Sequence, residues 1–86
     1  MAIVWETTTH DNFNKIINGI PAVLREFAKD KVSKRAEKIV LESNRSEVTE
    51  KDMIDAFFKE TPSGFWSPLM VDMDALGLDY KKYGYK

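Results

Sequence analysis

Pro21-Ala-Val-Leu-Arg-Glu-Phe-Ala-Lys-Asp-Lys-Val-Ser-Lys-Arg-Ala-Glu-Lys-Ile-Val-Leu-Glu-Ser-Asn44 is the stretch that decides the fold. Leu24, Phe27, Ala28, Val32, Ala36, Ile39, Val40 and Ser43 recur in it at three- and four-residue steps, and charged residues fill most of the gaps. That period is the signature of an amphipathic α-helix. Pro21 suits its first position, where a missing N–H costs nothing and φ is already helical. At 1.5 Å per residue the rod is roughly 35 Å long, enough to be the spine of a small bundle.

The flanks supply its neighbours. Upstream, Thr7-Thr8-Thr9 offers N-cap hydroxyls ahead of Phe13, Ile16 and Ile17, and Gly19 is placed to end that helix after two or three turns. Downstream, Asn44-Arg45-Ser46 reads as a turn, and Thr49-Glu50-Lys51-Asp52 as a capping-box start with Val48 and Met53 at the staple positions. Met53, Ile54, Phe57 and Phe58 make the apolar face of a third helix over Glu50 to Glu60, closed by Pro62 and Gly64. Ser67-Pro68 can start a short fourth helix that stops at Gly77. The sequence therefore predicts an all-α fold: a small three-helix bundle with a long central helix over residues 1–64, and an aromatic extension over 65–86 that packs on it. Phe65, Trp66, Tyr80, Tyr83 and Tyr85 give the extension its aromatic character, and large apolar side chains seek cover.

Composition narrows the functions. A chain of 86 residues with 43% hydrophobic and 31% charged residues is one globular unit with a thin core. The absence of cysteine removes disulfides, thiolate nucleophiles and iron–sulfur ligation from the chain's own repertoire. A formal net charge of -1 argues against nucleic acid and anionic membrane as general partners. No segment approaches the roughly 20 apolar residues of a membrane span, and the amino terminus lacks the pattern of a signal peptide, so the cytoplasm is the expected location.

Candidate chemistry is sparse. His10 is the sole imidazole, beside Asp11 on the first turn of a helix. Asp72, Asp74 and Asp79 lack the glycine and glutamate of a Ca²⁺ loop, so no metal site is expected. No phosphate-cradling glycine loop occurs, and no catalytic residue and no cofactor are assigned to the chain. What remains are groups for binding a partner or a planar ligand: Trp5 and Trp66 by stacking, His10 beside them, and Arg25, Lys29 and Arg35 on the basic side of the long helix with Lys31, Lys34 and Lys38.

Taken in order, Trp5, Phe13 and Ile16, Ile20-Pro21 with Arg25, then Ala28, Val32, Ala36 and Glu37, and finally Val48-Thr49-Glu50 and Ala56 form a recognisable succession. It resembles the small domain that ends the catalytic subunit of light-independent protochlorophyllide reductase, over residues 4–58, although the glycine that family tends to carry before its last helix is replaced by Asn44-Arg45-Ser46. The resemblance implies a helical bundle associated with a tetrapyrrole-reducing complex whose iron–sulfur clusters are held elsewhere. The expected function is accordingly a noncatalytic accessory or interaction module with a protein partner or a tetrapyrrole-like ligand. A histone-fold-like dimer that binds DNA is the alternative, since a long helix between two short ones and a Val-Thr-x-x-Asp helix start suit it as well.

Overall fold

The computed structural model describes residues 3–85, so Met1, Ala2 and Lys86, the ends of the two expected segments, lie outside it. The fold is all-α. Its elements run β1 (Val4–Trp5), α1 (Thr7–Asn18), α2 (Ala22–Glu42), β2 (Glu47–Val48), α3 (Glu50–Glu60) and α4 (Trp66–Ala75), with 3₁₀ turns at Ser63–Phe65 and Tyr80–Tyr83.

The core forms where α1 and α3 close on the C-terminal two thirds of α2. Phe13, Ile16 and Ile17 of α1 meet Val32, Ala36 and Val40 of α2 and Met53, Ile54, Ala56, Phe57 and Phe58 of α3. Burying each of the larger side chains contributes roughly 1.5–3 kcal/mol. The extension completes this core and does not start another: Leu69 and Met73 of α4, with Leu78 and Tyr80 beyond it, are buried in the same cluster.

Several helix ends differ from the sequence expectation, for local reasons. Pro21 is the N-cap of α2, with an extended ψ of 138°, and helical geometry begins at Ala22. At the start of α1 the cap is Glu6, and the buried Thr9 hydroxyl donates back to Glu6 Oε1 at 2.6 Å instead of accepting from a backbone N–H as a cap would. Gly19 ends α1 with φ of -80°, a conformation open to any residue. Left-handed geometry is needed instead at Asn44 (φ 57°) and Gly77 (φ 72°). In both places the chain closes a Schellman motif, with Arg45 N–H donating to Val40 O at 3.0 Å and Leu78 N–H to Met73 O at 2.9 Å. Asparagine tolerates that conformation better than other residues with a Cβ, so Asn44 does the work of a glycine in this turn.

Two elements were not expected. β1 pairs in parallel with β2, Val4 opposite Glu47 and Trp5 opposite Val48, and this clip ties the start of the chain to the turn before α3. Two residues per strand are too few to show an alternating pattern in sequence.

The tail is held by a row of phenols on acids. Tyr83 donates to Glu50 at 3.1 Å, Tyr80 to Asp74 at 3.2 Å and Tyr85 to Asp55, while the Tyr85 ring stacks on Phe58 with centroids 4.1 Å apart. Burial above all, then the hydrogen bond and charge of Asp55, pushes the Tyr85 phenol well above its ordinary value. A phenol whose folded pKa is raised contributes stability that is complete below its unfolded value of about 10 and is lost as pH rises through the folded value. Alkaline melts should therefore show Tyr85→Phe declining less steeply above about pH 10 than the wild type. Tyr85→Ala, which also loses the stack, should make the tail the first site of limited proteolysis at neutral pH; unchanged digestion would mean that the stack does not hold the tail.

Candidate functional site

The residues that sequence reading assigned to binding are dispersed by the fold. Trp5 and His10 meet at one end of the bundle, edge to face with centroids 5.8 Å apart. They line an open cleft of about 380 Å³ with Val4, Thr7 and Asp11. The Trp5 indole N–H donates to Glu37 Oε2 at 3.3 Å and its ring lies on Phe13, which fixes β1 against α2 and α1. Arg25 sits at the α1–α2 corner, where one guanidinium nitrogen donates to Asn18 O at 3.2 Å and Ile20 O at 3.1 Å. It thereby satisfies carbonyls that the end of α1 leaves without partners. Trp66 donates to Thr61 O at 2.8 Å and packs edge-on against Phe58. Arg35 forms an ion pair with Glu60 at 2.8 Å. Lys29 is exposed on α2.

Trp5, Arg25 and Trp66 thus each do a structural job. Among the described residues, no group of three or more His, Asp or Glu side chains could hold a metal ion. No helix of the described residues is long and apolar enough to cross a membrane.

The feature that sequence reading missed lies on the first third of α2. Leu24 and Phe27 were expected in the buried stripe, yet they are 53% and 65% exposed, and Val23 beside them is 88% exposed. The reason is length. At about 1.5 Å per residue the 21 residues of α2 span nearly twice the 11 or 12 residues of α3 and α1, so the covering helices run out before the stripe does.

What they leave is an apolar groove of about 280 Å³, walled by Leu24, Phe27 and Ala28 on α2 and by Phe57, Thr61 and Pro62 across from it. A second cavity of about 190 Å³ adjoins it through Ile20, Phe57 and Thr61 and reaches Phe65, itself 68% exposed. Along α2 the first groove runs into a cleft of about 190 Å³ lined by Lys31, Lys34, Arg35 and Lys38, and the two share Lys31 and Glu60. Since Arg35 neutralises Glu60, the lysines set the charge of that cleft. Lys34 pairs with Asp30 at 3.2 Å, and the Lys31 ammonium lies 5.6 Å from the centre of the Phe27 ring. Lys31 and Lys38 make no ion pair among the described residues. The legible signal was the mismatch itself: an apolar stripe longer than any helix available to cover it.

No curated protein and no solved structure matches the chain. A family profile does, over residues 1–85, and its description is a protein of unknown function, DUF2621; the chain belongs to that family.

Proposed function

We propose that this domain is a noncatalytic interaction module of the cytoplasm that docks a protein partner on the open groove of α2. The observation that carries this reading is the exposed face of Val23, Leu24 and Phe27 beside a formed apolar groove. Large apolar side chains gathered at one exposed place mark a binding site more often than scattered ones do. The concave, largely apolar wall fits a helix ridge. The likeness to the closing domain of light-independent protochlorophyllide reductase supports a place within a larger assembly, including one that handles tetrapyrroles. The residues that carry the likeness build the frame: Arg25 caps α1, Trp5 bonds Glu37, and Thr49 opens α3.

A photo-crosslinking residue at position 27, read against one at the exposed Val71 on α4, tests the site in the native host. The expected result is one protein crosslinked from position 27 and not from 71, identified by its crosslinked peptide, and lost when Leu24→Asp is added. Equal labelling from both positions would overturn the docking site. A dimer in solution that binds duplex DNA with salt-sensitive affinity would replace this reading by the histone-like alternative. Quenching of tryptophan fluorescence by a porphyrin, abolished by His10→Ala, would move the site to the Trp5–His10 cleft.

A further inference from the structure

Leu24, Phe27, Lys31, Lys34 and Lys38 follow one another along α2 at steps of three, four, three and four residues, and all five are exposed. That alternation is the seam along which two helices pack side by side. The bundle uses the neighbouring row, Val32, Ala36 and Val40, and leaves this seam free. It changes character along its length, apolar at Leu24 and Phe27 and cationic from Lys31 to Lys38.

We infer that the occupant of the groove is an acidic amphipathic helix of a partner protein, about four turns long, laid along this seam. It would set two apolar side chains against Leu24 and Phe27 and acidic side chains against Lys31, Lys34 and Lys38. The inference rests on the docking function proposed above and names the partner's chemistry. Leu24 to Lys38 covers about 21 Å of helix, which sets the partner's length. Charge complementarity selects an acidic partner, because Lys31 and Lys38 make no ion pair among the described residues, Lys34 is held only by the exposed Asp30, and Glu60, which lines the same cleft, is engaged by Arg35. A second copy of this chain fits less well: a parallel two-fold pairing would set lysine row against lysine row, and an antiparallel one centred on Leu24 and Phe27 would carry Lys31 to Lys38 past the start of the partner's α2, with no acidic row to meet. A bilayer fits less well too, since the apolar wall is concave and a flat lipid surface cannot enter it.

The full chain should be titrated with synthetic helical peptides carrying two seam leucines and three seam glutamates, in both sequence orders, and with twins in which lysine replaces glutamate. At low ionic strength a glutamate peptide should bind and its lysine twin should not, with affinity falling as salt rises. Phe27→Ser lies at an exposed position and should leave the fold intact while weakening binding about 10-fold or more. The double reversal Lys31→Glu with Lys38→Glu should switch the preference to the lysine peptide.

Binding indifferent to peptide charge, or unchanged by Phe27→Ser, would overturn the inference. So would vesicles of phosphatidylcholine and phosphatidylglycerol, or self-association through Phe27, competing successfully for the groove. A partner crosslinked at position 27 through a segment that is neither acidic nor helical would sink the helix assignment and leave the docking function standing; absence of any crosslink at 27 would remove both.

Discussion

Val40→Asp should abolish folding, whereas Leu24→Asp, on the same stripe of the same helix, should leave the melting temperature nearly unchanged. Val40 is fully buried and belongs to the cluster that joins α2 to α1 and α3, so an aspartate there has neither water nor a cation to meet. A buried unpaired charge costs several kcal/mol. A domain of 86 residues has on the order of 4–13 kcal/mol to lose, at about 0.05–0.15 kcal/mol per residue. Leu24 is more than half exposed, and a change at such a site usually stays within about 0.5 kcal/mol. Circular dichroism melts decide it: a folded, cooperative Val40→Asp would show that the core is misassigned. A large loss in Leu24→Asp would mean that this face is already covered, by another part of the protein or by a second copy. The second outcome bears on function as much as on fold, because the docking site exists only if the intact protein leaves Leu24 bare.

That contrast also marks how far the sequence could be read. The long helix, the capping box at Thr49 and the stop at Gly77 were legible, because each depends on near neighbours in the chain: a 3.6-residue period, a three-residue cap, a residue able to turn left-handed. Leu24 and Phe27 were misplaced because periodicity tells which side of a helix is apolar, not how much of that side its neighbours can reach. The parallel clip of β1 and β2 pairs residues more than forty positions apart through two rows of two, and no local pattern encodes it. Arg25 looked like a surface cation on a basic stripe; its role became visible only when the Ile20-Pro21 corner brought the end of α1 within reach of its guanidinium. For the binding surface, the lysines were legible as a stripe, while their continuity with an open apolar groove was not, since the far wall comes from Phe57 and Pro62 on and beyond α3.

Asp52→Ala should be the most damaging change to a polar residue of this domain, at about 2–4 kcal/mol, the sum expected for losing a helix cap and a charge-assisted hydrogen bond. Its carboxylate is 2% exposed and gathers four donated hydrogen bonds. Thr49 N–H and the Thr49 hydroxyl both donate to Oδ2 at 2.9 Å, and the Arg45 guanidinium reaches the two oxygens at 3.0 and 2.6 Å. One side chain therefore starts α3, closes the turn after α2 and anchors the loop that carries β2. Burial pushes the Asp52 pKa up, but the bonds from Arg45 and Thr49 together outweigh it and hold the group below the usual carboxylate value. For a carboxylate whose folded pKa is depressed, the stabilisation is complete above the unfolded value of about 3.9 and is lost as pH falls through the folded value. The gap in melting temperature between wild type and Asp52→Ala should accordingly be widest at neutral pH and narrow below about pH 4. Arg45→Ala should cost less than Asp52→Ala, because the guanidinium side chain is 41% exposed and water can replace part of what it gives. Asp52→Asn, which keeps the shape and an acceptor for Thr49 but removes the charge, should fall between them. A gap that stays constant from neutral pH to pH 3 would show that Asp52 acts through packing alone and that the clamp around it carries no charge-dependent stability.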